Sequence, residues 1–230
     1  HRVIYCNVPK VASTTLKYWM LKMMPFGDQI QKKPQVHNDA FIALFGLKRA
    51  FLTSEFNYSN YFSFMFVRHP LVRLLSAYRS KIESGKKRNG KWKFFHEQFV
   101  HHIRVVLGYS KLRKSNISFE DFLTYVVQLN HKGIGFNPHW KPYYKLCKPC
   151  SINYDVIGKI ETFQEDASLV LELFNKLGCS RGLNLTNQTS TSDSLYDKYY
   201  RNISHTLLNQ VIRVYNQDFL LYGYDPHRLS

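Results

Sequence analysis

The chain has 230 residues, 44% of them hydrophobic, with 17 Phe and 16 Tyr. That excludes a disordered chain and suffices for one large domain, or a domain with extensions, around a substantial core. Lys and Arg outnumber Asp and Glu by 32 to 16, and the formal net charge of +16 points to a polyanionic partner: nucleic acid, an anionic membrane surface or an acidic polysaccharide.

The first apolar run, Arg2 to Cys6, reads as a buried strand, and Leu16, Trp19, Met20 and Met23 then recur at helical spacing. Between them lies Val8-Pro9-Lys10-Val11-Ala12-Ser13-Thr14-Thr15, a strand-to-helix turn with one Lys and three hydroxyls. Such a turn can cradle a phosphate: N–H groups and the dipole at the helix start attract an anion, the Lys adds full charge, and the hydroxyls fill the remaining oxygens. The glycines of a Walker A loop are absent, and for this stretch alone an ordinary structural turn is the competing reading. His37, in Gln35-Val36-His37-Asn38, follows a candidate second strand.

Tyr61 to Val67 is an apolar, aromatic-rich run of the kind found in a strand covered on both faces. Pro70 suits a first helical position, and Leu71, Leu74, Leu75, Tyr78 and Ile82 form one helical stripe. Arg68 thus stands at the end of a strand and Ser76 in the helix that follows. A guanidinium fork and a hydroxyl converging there suit a phosphate monoester. Arg73, Arg79 and Lys81 read as a solvated helix face, whereas Arg68, a cation directly after an apolar strand, needs an anion nearby. The run Lys86 to Lys93 is the densest basic patch.

Ser118 and Asp121 predict a capping box for a helix that carries Phe119, Phe122, Leu123 and Val126 inward. Tyr154–Gly158 reads as a short strand. Thr162 with Glu165 predicts a second capping box, followed by Ala167, Val170, Leu171, Phe174 and Leu177, with Gly178 stopping the helix. Asn184 to Asp193 is a polar loop, and Leu208, Val211, Ile212, Tyr215 and Phe219 mark one final amphipathic helix. Strands alternating with helices predict an α/β sheet with parallel pairing. Repeats, low-complexity tracts and linkers are absent from the sequence, so residues 1–230 are read as a single domain.

The two phosphate motifs resemble the signatures of sulfotransferases that use 3′-phosphoadenosine 5′-phosphosulfate (PAPS). Pro9-Lys10-Val11-Ala12-Ser13-Thr14-Thr15 resembles the 5′-phosphosulfate loop, and Arg68 through Ser76 the 3′-phosphate site. Three further stretches are similar to blocks of the Golgi carbohydrate sulfotransferases, a group that includes the chondroitin and dermatan 4-O-sulfotransferases and the HNK-epitope sulfotransferase. They are His139-Trp140-Lys141-Pro142-Tyr143-Tyr144-Lys145-Leu146-Cys147-Lys148-Pro149-Cys150, then Tyr154 through Thr162, and the ending Tyr215 through Tyr224. The resemblance implies a P-loop-like sulfotransferase fold, with a central, mostly parallel sheet flanked by helices. It also implies PAPS as sulfate donor, an anionic glycan acceptor of chondroitin type, and the luminal part of a type II Golgi membrane protein held by an N-terminal anchor; no metal is expected, because cationic side chains can hold the charge.

Two positions depart from the group's pattern. Ser13-Thr14-Thr15-Leu16 stands where the group carries Cys-Thr-Asn-Trp, and resembles instead the uronyl and heparan 2-O-sulfotransferases. His69 stands where an acid is usual. Both leave the Lys and hydroxyl donors intact and bear on the acceptor rather than the donor.

A luminal setting agrees with sequons at Asn57, Asn116, Asn184, Asn187 and Asn202, and no apolar run reaches the ~18–20 residues of a membrane span. Cys6, in the first strand, reads as a small buried apolar residue. For the Cys147/Cys150 pair, zinc would need two more ligands at suitable spacing, and redox catalysis a thioredoxin-like strand and helix. A structural disulfide involving Cys147 or Cys150 is the expectation in an oxidising lumen.

Sulfuryl transfer requires a cation where charge builds on the bridging oxygen, for which Lys10 is the candidate, and a base for the acceptor hydroxyl. His37 is ranked first and His139 second for that role, with Glu83 behind them. Two other classes are weighed against this reading. One is a non-catalytic heparin- or polyanion-binding domain on a sulfotransferase fold. The other is a nucleotide-dependent phosphotransferase, which the missing Walker A glycines and Mg²⁺ carboxylates disfavour. RRM, KH and zinc-finger patterns are absent from the sequence, so nucleic acid is not the expected partner.

Overall fold

The computed structural model describes residues 3–22, 60–83, 90–109, 116–176, 178 and 195–227. In chain order these form β1 (Val3–Tyr5), α1 (Ser13–Lys22), β2 (Phe62–Val67), α2 (Pro70–Lys81), α3 (Gly90–Leu107) and α4 (Phe119–His131). Then come α5 (Tyr143–Cys147), β3 (Val156–Lys159), α6 (Phe163–Lys176), α7 (Tyr196–Tyr200), α8 (His205–Val214) and α9 (Asn216–Tyr222). Contacts divide the chain into two compact units, one spanning His1–Val67 with Pro149–Gln188, the other Arg68–Lys148 with Thr189–Ser230.

The first unit holds the sheet. Its strand order is β1-β2-β3 with both pairings parallel, in registers that set Val3 opposite Phe62 and Phe64 opposite Val156. This is the predicted α/β arrangement with parallel pairing, and the sheet is small, with three strands among the described residues. β2 is central, and Ser63 to Val67 are all buried, as a run without polar alternation requires. Successive side chains of a strand point to opposite faces. Phe62, Phe64 and Phe66 accordingly share one face and form a ladder with ring centroids 5.8 and 6.4 Å apart. α6 covers that face, with Phe174 edge-on to Phe62 and Phe64 and Phe163 against Phe66 at 5.4 Å. Trp19 of α1 stacks on Phe163 at 5.8 Å.

Asp155 pins the start of β3. Its carboxylate accepts from the Ser63 backbone N–H at 2.7 Å and the Ser63 hydroxyl at 3.0 Å, while its own N–H donates to the Ser63 carbonyl. At the start of α6, Thr162 does not form the expected box with Glu165. Its hydroxyl donates to Asp166 Oδ2 at 2.6 Å, and the same oxygen accepts the Lys159 N–H at 2.8 Å, so Asp166 ties helix to strand.

The second unit is helical. Ser118 and Asp121 form the predicted capping box, with bonds of 3.0 and 2.9 Å. Trp140 is buried, with its ring edge-on to Phe99, Phe122 and Tyr125 at 5.4 to 6.1 Å. α2 starts at Pro70 as predicted, but it is buried from Pro70 to Leu75 and again at Ala77 and Tyr78. Arg73 is therefore not on a solvated face: it is 1% exposed. Arg79 and Lys81 are half-buried, and Arg79 pairs with Glu83 at 3.7 Å. The predicted last helix is two, α8 and α9, broken at Tyr215, whose N–H reaches the carbonyls of Val211 and Ile212 while Phe219 and Asp218 bond back to its own carbonyl.

Cys6 is disulfide-bonded rather than a plain apolar residue, and Cys147 is disulfide-bonded as well, as expected for one member of the CxxC pair; Cys150 is a free, exposed thiol. Among the described residues, no helix is long and apolar enough to cross a membrane. Asn116 and Asn202 are exposed. His37, Met23, Cys179, Lys86 to Arg88, Lys111, Arg113, Lys114 and the sequons at Asn57, Asn184 and Asn187 lie outside the described residues.

Gly158 of β3 faces the Phe66 ring so closely that an added Cβ would lie 2.5 Å from it. Overpacking of this kind costs about 1–3 kcal/mol. Gly158→Ala should lower the thermal midpoint by several degrees, and Phe66→Leu in the same chain should recover part of the loss.

Candidate functional site

Two clusters carry the residues singled out by sequence, each within one unit. In the first, β1 runs into the loop through a bond from Cys6 N–H to the Phe64 carbonyl at 3.1 Å, after which Val8 N–H turns back to the Cys6 carbonyl. Val8 and Val11 are fully buried and act as two anchors, leaving Pro9, Lys10 and Ala12 half-buried above them. Lys10 has φ +74° and Ala12 φ +54°. Both occupy the left-handed region that glycine ordinarily supplies and that costs a non-glycine residue of order 1 kcal/mol or more. Strain of this kind persists where the surroundings impose it and clusters at binding sites.

The Ala12 carbonyl accepts from Thr15 and Leu16 N–H, so Ala12 opens α1, and Ser13, Thr14 and Thr15 form its first turn. Ser13 and Thr14 are half-buried, Thr15 buried. That turn contains no acidic residue to offset the positive end of the helix dipole. A left-handed Lys, two half-buried hydroxyl residues and a first helical turn without an acid make a donor set suited to a phosphate or phosphosulfate anion.

The second cluster joins two motifs that lie far apart in sequence. Arg68 and His69 connect the end of β2 to α2 and are both buried; Ser76 is half-buried on α2. The phenol of Tyr143 accepts from the Arg68 N–H at 3.0 Å and donates to the Arg68 carbonyl at 2.9 Å. Arg73 donates to the carbonyls of Lys141 at 2.8 Å and Pro138 at 2.9 Å, and its guanidinium lies 4.4 Å above the Tyr143 ring. The motif around Arg68 is thus tied to the segment from Pro138 to Cys150 by four hydrogen bonds. Tyr215 donates its hydroxyl to the Trp140 carbonyl, a fifth tie to the same block.

His139 is half-buried beside Trp140. Asn137 Oδ1 accepts from the His139 backbone N–H at 3.0 Å and faces Nδ1 at 2.7 Å. An amide oxygen can only accept, so it faces a proton on Nδ1 of the ring. His69 is held differently: Nε2 donates to the Asp225 carbonyl at 2.9 Å, and the rings of Tyr196, Phe219 and Tyr224 surround it at 5.5 to 6.4 Å. The histidine at this position thus sits in an aromatic box.

The sequence assigns no role to Asp218 or Tyr143, and Arg73 reads as solvated. Asp218 is fully buried, and its two oxygens accept the Tyr143 and Tyr144 N–H groups at 2.7 and 3.0 Å, capping α5. The signal in the sequence was an acid three residues after Tyr215, on the inward face of an amphipathic stripe.

Burial raises the Asp218 carboxyl to about 6 against the two N–H bonds and Arg73, which pull it down. The folded chain therefore holds a proton between the ordinary value of 3.8 and about 6 that the unfolded chain releases, and stability falls as pH rises through that window. The stability advantage of the wild type over Asp218→Asn, measured by denaturant titration, should shrink by about 2–3 kcal/mol between pH 4 and pH 7. A difference that stays flat across this range would contradict the assignment.

The model of the sulfotransferase family matches residues 1–225. Carbohydrate sulfotransferase 11 of Mus musculus is 34% identical over 230 residues, covering 97% of this chain and 65% of its own length. Carbohydrate sulfotransferase 12 of Mus musculus and carbohydrate sulfotransferase 14 of Danio rerio are each 31% identical over 97% of this chain, and 58% and 60% of their own lengths. The chain spans about three fifths of the length of these relatives. No solved structure is significantly similar to it. A match that runs through the Lys10 loop, the Arg68 motif and the His139 block together has one meaning: the chain belongs to the sulfotransferase family.

Proposed function

We propose that this chain transfers a sulfuryl group from PAPS to a hydroxyl of an anionic glycan of chondroitin type, as a single catalytic domain working in the Golgi lumen. The observation that carries the reading is the loop from Pro9 to Thr15, where a left-handed Lys10 precedes a helix start with no acid in its first turn. The relatives' names, carbohydrate sulfotransferase 11, 12 and 14, support the glycan acceptor.

PAPS supplies an activated sulfuryl group whose bridging oxygen leaves on the phosphate. The loop from Pro9 through Lys10, Val11, Ala12, Ser13, Thr14 and Thr15 holds the 5′-phosphosulfate: Pro9 shapes the turn, and the residues after it supply backbone N–H groups, hydroxyls and the Lys10 ammonium. Arg68 and Ser76 hold the 3′-phosphate. Lys10 neutralises the charge that develops on the bridging oxygen as the bond to sulfur breaks. A base accepts the proton of the acceptor oxygen as that oxygen bonds to sulfur, and His37 and His139 are the two imidazoles for the role. The excess of cations holds the acceptor: Lys93 is exposed and Arg104 half-buried on α3, and the other contributors are Lys86, Lys87, Arg88, Lys91, Lys111, Arg113 and Lys114.

Transfer of labelled sulfate from PAPS to a panel of chondroitin, dermatan, heparan and desulfated chains tests the reading directly. Lys10→Ala should lose about 10²–10³ in kcat, the loss typical of removing one transition-state donor; undiminished transfer would remove Lys10 from the chemistry. Turnover on chondroitin should fall as salt rises, because exposed ionic contacts are screened over about 8–10 Å near physiological ionic strength. Equal use of uncharged glycans would leave no part for the basic surface.

The two imidazoles separate by kinetics. If His37 is the base, His37→Ala loses most of kcat while nucleotide binding persists, and His139→Ala raises KM. The reversed pattern assigns the proton to Nε2 of His139.

A further inference from the structure

We propose that Tyr143 is a positioning residue for recognition of the donor's 3′-phosphate: its buried hydroxyl fixes the backbone of Arg68 and so aims that guanidinium. The proposal rests on the reading of Arg68 as the 3′-phosphate ligand.

Arg68 comes directly after β2. The final strand residue, Val67, still has a sheet partner, since its carbonyl accepts from Ile160 N–H at 2.9 Å. Arg68 itself is 4% exposed, so its N–H and C=O need partners away from water. A hydroxyl can donate once and accept as well, and Tyr143 uses one oxygen for both tasks at 3.0 and 2.9 Å. With the amide on one side of the Arg68 Cα and the carbonyl on the other both tied to a single atom, the direction in which the side chain leaves the backbone is set.

That atom is itself immobilised. Tyr143 has no exposed surface; its N–H is held by Asp218, its ring lies under Arg73, and Tyr222 packs edge-on at 5.5 Å. Phosphate recognition by a guanidinium depends on the fork's direction, because its donors are coplanar and fixed. A misdirected fork loses a 3′-phosphate and leaves the remainder of the nucleotide unaffected.

The test compares the binding of 3′-phosphoadenosine 5′-phosphate with that of adenosine 5′-monophosphate, which lacks the 3′ group, by calorimetry on the full chain. Tyr143→Phe should weaken the bisphosphate roughly tenfold and leave the monophosphate within about twofold. In an Arg68→Ala background the same change should alter neither, the non-additivity expected of residues acting in series. Equal loss for both nucleotides, or an unchanged ratio, overturns the proposal and leaves Tyr143 a packing residue. Should Tyr143→Phe fail to fold, Asp218→Asn, which disturbs the Tyr143 N–H instead, must lower the same ratio; if it does not, the proposal falls. A wild-type chain that binds both nucleotides equally would instead refute the 3′-phosphate reading of Arg68.

Discussion

The helical unit depends on satisfying irregular backbone in a dry place. Residues 137–142 and the connection 68–69 belong to neither helix nor strand, yet Trp140, Arg68 and His69 are buried. Buried amides and carbonyls left unpaired would each cost about 1–3 kcal/mol. Arg73, Tyr143, Tyr215 and Asp218 supply the partners, each reaching main-chain atoms rather than another side chain's tip. Four side chains thus do for a loop what a ladder does for a strand. The choice of residues follows from geometry: Arg offers two parallel donors for two carbonyls, Asp two acceptors for two amides, and Tyr one atom that serves as both.

The sheet unit solves a different problem. Its loop spends conformational energy at Lys10 and Ala12, held down by Val8 and Val11, which are buried on either side. Glycine would relieve the strain and add entropy to the unfolded chain. Keeping a Lys in that conformation makes sense where its charge is wanted at one place.

Much of this was legible in sequence where periodicity or capping chemistry applied. The β2 run, the Pro70 helix start and the Ser118–Asp121 box stand as read, because each rests on a local pattern that tertiary packing reinforces. The misreadings share a cause. Arg73 reads as solvated by charge and spacing, but its partners are carbonyls 65 and 68 residues away. Thr162 prefers Asp166 over Glu165 because Asp166 also serves Lys159, which a four-residue signature does not contain. The break at Tyr215 comes where the chain must present both Tyr215 and Asp218 to the 140–144 segment. Long-range backbone partners are what a one-dimensional pattern omits.

The central strand has a consequence for synthesis. Ser63 of β2 waits for Asp155, 92 residues later, before its second edge is covered. At about 5–20 residues per second, that is a delay of roughly 5–20 s. During it, Phe-Ser-Phe-Met-Phe-Val carries an unpaired edge and an aromatic face still lacking α6. Such a segment, apolar, β-prone and uncharged, is the kind that pairs with its own copies. A nascent chain of this protein is therefore a client for chaperones during that interval, and a product truncated before residue 155 is a seed for aggregation rather than a smaller folded domain.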